Sequence, residues 1–249
     1  MTLDVQVLPL RDIPDLAEGD DLGELLATAA RRAGGLVDGD VVVVAQKAVS
    51  KVEGRTVFLA DVEPSARAVE LAGPDGDPRR LEVILGEARE IVRARPPLLI
   101  AETRHGFVCA SAGVDASNAP HAGTLVLLPL DPDASARRLR ERLHELTGVA
   151  PGVVVSDSFG RAWRQGTTDV ALVVAGFAPL RDLRGSSDAA GRELETTQIA
   201  VADEIASAAE LVLGKARRVP AAIVRGADLP PGDGSGADIL MPRERDLFR

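Results

Sequence analysis

Two short aliphatic runs, residues 153–155 and 170–175, bracket the segment that most constrains this chain, SDSFGRAWRQGTTD at 156–169. Aliphatic runs of that length between polar residues read as buried strands. The chain must therefore build a sheet that carries a strongly polar stretch between two of its strands. Val155 delivers Asp157 and Ser158 to a strand end; a loop with Gly160, Arg161, Trp163, Arg164, Gly166, Thr167 and Thr168 follows, and Asp169 opens the second run. Loops held by rigid strands are common places for sites. Carboxylates, hydroxyls and guanidinium groups concentrated there suit metal and phosphate.

The rest of the pattern alternates irregularly. Residues 41–45, VVVVA, read as a strand buried on both faces. Further strands are expected at 5–8, 124–130 and 221–224, with a hairpin at 98–102 and 106–110 turning at Arg104 and His105. Helices are expected over 20–34, 78–93 and 197–213, from apolar residues recurring every three or four positions. Another starts at Asp131, with Pro132 in its first position and Gly148 as its stop. From Pro230 onward the sequence reads as a tail or linker, which divides the chain into 1–229 and 230–249. The uneven spacing predicts an α+β fold, mixed sheets with flanking helices and not a Rossmann topology. Aromatic residues are 2% of the chain and Tyr is absent, so the core is aliphatic.

Composition excludes several classes. A formal net charge of −9 argues against nonspecific nucleic-acid binding, which needs a basic face, but leaves room for a locally basic pocket. The start of the chain does not read as a signal peptide, and no apolar stretch approaches membrane-spanning length. The expectation is a cytoplasmic protein with no membrane partner. Cys109 is the one cysteine; it can form no intramolecular disulfide and reads as a small buried hydrophobe.

Standard nucleotide, zinc-protease and nucleophile-elbow motifs are absent, and with three His a multi-histidine metal site is not expected. A metal site here would use carboxylates and hydroxyls, as Mg²⁺ or Mn²⁺ bound with phosphate do. Four clusters are candidates. AGVDASN at 112–118 offers Asp115 and Asn118, or simply an Asx turn. The 156–169 segment offers Asp157 and Ser158. The segment 46–55 places Gln46, Lys47, Ser50 and Lys51 after a buried strand, as a phosphate cradle or a polar strand end. Gly214 and Lys215 follow the last long helix, where a cation is favourable in any case. His105 reads as a solvated turn residue, and Asp169 has no assigned role.

Together these clusters resemble the coenzyme F420-0:γ-glutamyl ligase family. The resemblance runs over about residues 5–226 and is carried by QKAVSKVEGR (46–55), ETRHGFVCASAGVDASN (102–118), LPLDPDASARRLR (128–140), SDSFGRAWRQGTTDVA (156–171) and ADEIASAAELVLGKARRVPAAIVRG (202–226). It implies an enzyme that adds L-glutamate, and in some cases further γ-linked glutamates, to the deazaflavin F420-0. GTP would be the co-substrate, with Mg²⁺ or Mn²⁺, two ions per site, and K⁺ as a further ion. The resemblance also implies an acyl-phosphate intermediate and a homodimer. By the same resemblance Asp115, Asp157 and Ser158 are metal ligands. Ile13, Pro14, Asp15, Leu16, Gln46, Lys51, Asn118, Leu213, Gly214 and Lys215 match nucleotide positions, as does the rest of the segment 213–220. Lys215 departs from relatives that carry an acidic or amide residue there. Arg161 and Arg164 are expected as anion clamps from their bidentate geometry. A metal-dependent nucleotide phosphohydrolase and a noncatalytic nucleotide-binding module are the competing classes.

Overall fold

The computed structural model describes residues 4–248. In chain order its elements are β1 (Gln6–Leu10), α1 (Leu22–Arg32), β2 (Val41–Ala45), α2 (Gln46–Val52), β3 (Thr56–Phe58), α3 (Ala66–Ala72), α4 (Pro78–Glu87), β4 (Ala88–Arg95), β5 (Leu98–Thr103), β6 (Val108–Ala110), β7 (Thr124–Val126), α5 (Pro132–Thr147), β8 (Gly152–Arg161), β9 (Arg164–Ala175), β10 (Arg181–Asp182), β11 (Gln198–Ile199), α6 (Val201–Leu213) and β12 (Ala221–Arg225). A five-stranded sheet in the order β1-β12-β2-β8-β9 forms the body. Within it β2 and β8 are parallel and the other neighbours antiparallel. This is the mixed α+β architecture expected from the uneven spacing.

The valines of β2 alternate between two cores. Val42 and Val44 pack with α1 and α5 residues such as Leu26 and Leu143, while Val41 and Val43 pack against α6 through Ile205 and Ala209. A strand apolar on every position is what a sheet covered on both faces requires. A third cluster joins α3, α4, β5 and β7 through Leu71, Ile84, Leu99 and Leu125, giving a smaller lobe with the sheet β4-β5-β6 and the pair β3-β7.

Local signals place α5 well. Asp131 caps it by accepting from the Ala134 amide, Pro132 is its first residue, and Gly148 ends it in a left-handed conformation. Elsewhere tertiary pairing overrides the local pattern. The helix expected over 78–93 stops at Glu87, and Ala88–Arg95 becomes a strand pairing with β5. Ile91 and Val92 satisfy helical spacing but are β-branched and find a partner strand. The strand expected at 124–130 ends at Val126. The last helix starts at Val201, because Gln198–Ile199 pairs with Arg181–Asp182 instead. The first strand extends to Leu10 with Pro9 inside it, tolerable because β1 is an edge strand. Residues 230–240 do not trail away: Gly234 N donates to Phe177 O at 3.0 Å, Gly236 N donates to Asp133 Oδ1 at 2.8 Å, and Leu240 packs on the core.

The largest difference concerns 156–169. It is not a loop but the outer half of a long hairpin, β8 and β9, paired out to Arg161 and Arg164. The ladder slips between Val155 and Ser156. Opposite that slip Leu172 and Val173 both enter the same core, as a bulge with one extra residue demands. The Ala171 amide then donates to Asp203 Oδ1 of α6 at 2.9 Å.

Candidate active site

The parallel pair β2–β8 sets the site. Ala45, the last residue of β2, lies opposite Ser156 in the middle of β8, so Lys47 in the first turn of α2 and Asp157 come side by side. Asp115 reaches them from the smaller lobe after a sharp turn in which Ser111, Ala112 and Gly113 all have positive φ. At Gly113 a Cβ would sit 2.7 Å from Leu128, so glycine is required for the close approach. Lys47 Nζ bridges the two acids, 3.0 Å from Asp115 Oδ2 and 3.5 Å from Asp157 Oδ1.

Each carboxyl responds differently. Burial opposes the charge on Asp115, but the amide and hydroxyl of Ser117 and the Lys47 ammonium outweigh it and hold the carboxyl at about 2. Burial raises Asp157 above the ordinary range, Lys47 offsets this only in part, and Asp169 and Asp115 add to it. Burial pulls Lys47 down, yet Asp157 and Asp115 carry it above its ordinary value. The Cys109 thiol is pushed to about 12, by burial first and by Asp157, which agrees with a buried, unreactive sulfur.

The opposite face of the hairpin carries Ser156, Ser158 and Asp169. Ser158 stands directly across from Asp169 and donates to its Oδ1 at 2.7 Å; Ser156 donates to Oδ2 at 3.0 Å. Asp169 is only 4% exposed. Both its oxygens therefore collect hydroxyl protons, which leaves the lone pairs of Ser158 directed away from it. Glu210 of α6 is raised by burial and by Asp169.

Lys47, Ser156, Asp157, Ser158, Asp169 and Glu210 line one cavity of about 710 Å³. Of the residues expected from the sequence, Ile13, Pro14, Asp15, Leu16, Lys51, Asn118, Asp157, Ser158, Leu213, Gly214 and Lys215 all line it. Asn118 Nδ2 donates to Lys215 O at 3.3 Å, joining the smaller lobe to the turn after α6. Asp115 is not on the wall and meets the site through its ion pair with Lys47. Three expectations are not met by the placement. Gln46 is fully buried, bound by the Ser50 hydroxyl, and is not on the cavity wall. Arg161 and Arg164 are exposed at the hairpin tip and do not line the cavity, because the segment pairs as a ladder instead of folding back. Lys47, expected only as part of the 46–55 cradle, and Arg218, within the matched segment 213–220, are both on the wall, and so are Glu210, Phe58 and His121, for which there was no expectation. Lys47 is legible as a cation directly after a buried strand; Glu210, Phe58 and His121 carry no local signal.

Among the described residues no three His, Cys, Asp or Glu side chains form a metal-holding group. Two carboxylates converging on one ammonium nevertheless mark a cation position, with hard oxygen donors. Mg²⁺ commonly takes one or two protein carboxylates and completes its shell with water and substrate phosphate, so Asp115 and Asp157 fit such an ion, with Ser158 oriented as an acceptor. The cavity also carries Lys51, Lys215 and Arg218, which suits anionic groups.

Fold and site together define an α+β protein with a cleft that pairs buried carboxylates with cations, where the parallel pairing of β2 with β8 ends. The family model described as F420-0:gamma-glutamyl ligase matches residues 11–226, and the chain belongs to that family. It is 44% identical over 252 residues to the coenzyme F420:L-glutamate ligase of Methanothermobacter thermautotrophicus, covering 98% of this chain and 99% of the relative. The protein of the same name from Methanocaldococcus jannaschii is 43% identical over 249 residues, covering 98% and 97%. That from Methanopyrus kandleri is 46% identical over 256 residues, covering 100% and 98%. Among the described residues no helix is long and apolar enough to cross a membrane.

Proposed function

We propose that this chain joins L-glutamate to coenzyme F420-0 in a GTP- and divalent-metal-dependent reaction. The observation that carries this reading is the Lys47 ammonium held between Asp115 and Asp157, beside a cavity lined by the residues matched to nucleotide positions. The names of the family and of the relatives supply the substrates.

In this scheme a carboxylate oxygen of F420-0 attacks the γ-phosphorus of GTP, the bond to the β–γ bridging oxygen breaks, and GDP leaves. The glutamate amine then attacks the acyl carbon of the resulting acyl phosphate. The carbon–oxygen bond to phosphate breaks, inorganic phosphate leaves, and the nitrogen gives up its proton. No protein nucleophile is needed, which suits the buried Cys109. Divalent cations held by Asp115, Asp157 and Ser158 would spread the charge of the transferring phosphoryl group. Lys51 and Lys215 neutralise phosphate oxygens, and Asp169 keeps Ser158 oriented as an acceptor. The protein's contribution is positioning and charge compensation.

The test is the mass of the deazaflavin after incubation with F420-0, L-glutamate, GTP and Mn²⁺. One or more added glutamyl units are expected, and only when all components are present. Folded protein that adds none, or that releases phosphate from GTP equally well without F420-0 and glutamate, refutes the reading.

A further inference from the structure

We propose that Phe58 and His121 form a stacking platform for a planar heteroaromatic ring of a substrate, either the deazaflavin of the acceptor or the guanine of the nucleotide. The proposal rests on the ligase reading for the ligand and on geometry for the place where its ring stacks. The two rings are nearly parallel, 12° apart in plane with centroids 6.1 Å apart, and both line the cavity. They are the only aromatic rings among the described residues that line it. Every other neighbour there is aliphatic, small, charged or amide-bearing, suited to the phosphates and carboxylates of the substrates but not to a flat π-system.

Phe58 is also out of place as a core residue. The chain has five Phe and no Tyr. Phe107 and Phe177 are buried, Phe159 packs on the core, and Phe248 lies against Trp163. Phe58 stays 48% exposed with His121 as its ring partner. Backbone pairing sets both positions: Phe58 lies opposite Thr124 in the β3–β7 ladder, Leu59 N donates to Gly123 O at 2.8 Å, and Thr124 N donates to His121 O at 3.2 Å. The pair is thus held by a small sheet and a tight turn. Covering an exposed apolar ring with a planar ligand removes its surface from water, and ring–ring stacking adds to that.

Binding of F420-0 to the full chain is followed by the fluorescence of the deazaflavin, and GTP binding by calorimetry, for the wild type, Phe58→Leu and His121→Ala. Base–aromatic stacking is lost at a cost of roughly 5- to 140-fold in affinity. Weakening of F420-0 alone by both variants identifies the deazaflavin; weakening of GTP alone identifies the guanine; either outcome supports the platform. Affinities within twofold for both ligands, in variants that melt with the wild type, overturn it. Should either variant fold poorly, the ring-proton resonances of His121 in the wild type decide: they move on ligand addition if a ring stacks there, and unchanged resonances at saturating ligand overturn the proposal. A wild type that binds neither ligand refutes the ligase reading itself, and the platform with it.

Discussion

Replacing Asp169 by Asn tests the hydroxyl pair on the hairpin. The carboxylate accepts Ser158 Oγ at 2.7 Å and Ser156 Oγ at 3.0 Å in a position 4% exposed. An amide keeps one acceptor oxygen and replaces the other by a donor. One serine hydroxyl then faces an N–H and must turn away or lose its bond. A hydrogen bond to a charged group contributes about 1.5–3 kcal/mol, so the expected loss is about 2 kcal/mol. For a chain of this size that lowers Tm by about 4–8 °C. Urea unfolding of wild type, Asp169→Asn, Ser158→Ala and the double variant measures it. Because the groups touch, the cycle should show coupling of about 1 kcal/mol or more. The Ser207 hydroxyl, which donates to the Asp169 backbone carbonyl at 2.8 Å, is untouched by the side-chain change, so Ser207→Ala should add to it independently. An Asp169→Asn protein within about 0.5 kcal/mol of the wild type, with no coupling to Ser158, refutes this account of why the acid is buried.

Asp157→Ala should lower glutamate addition at least about 100-fold, the scale of losing one preorganised electrostatic group, without lowering Tm. Burial already disfavours its charge, so a large drop in Tm in a calorimetric scan would contradict the argument. Asp115, held at about 2 against an ordinary 3.8, contributes stability that is fully present above the ordinary value and lost as pH falls through the folded one. Stability measured between pH 4 and pH 2 should therefore fall less steeply in Asp115→Asn, and an unchanged slope would count against the Lys47 and Ser117 contacts. Arg225 holds the fully buried Asp40 with two bonds of 2.8 Å. Arg225→Met should cost about 3–5 kcal/mol in a denaturant titration, since it leaves a buried acid uncompensated; a cost under about 1 kcal/mol would show that the acid is otherwise satisfied.

Local chemistry in the sequence determined much of the frame. The valines at 41–44, the run at 221–224 and the capped helix after Asp131 each signal through neighbours within one turn or a few strand residues, and each forms as read. Most of the residues singled out by the family motifs lie on the wall of one cleft. What only the tertiary structure decided depends on partners far apart in the chain. Residues 88–95 are a strand because β5 offers a ladder. Arg161 and Arg164 leave the site because 156–169 pairs with itself as a hairpin. Asp169, unassignable on its own, acquires a role because that pairing puts Ser158 directly opposite. Lys47 becomes the centre of the site because Asp157, 110 residues later, and Asp115, from another lobe, close on one ammonium. Hydrophobic period and caps act locally, whereas ladder register and charge compensation act between residues that meet only when the chain has folded.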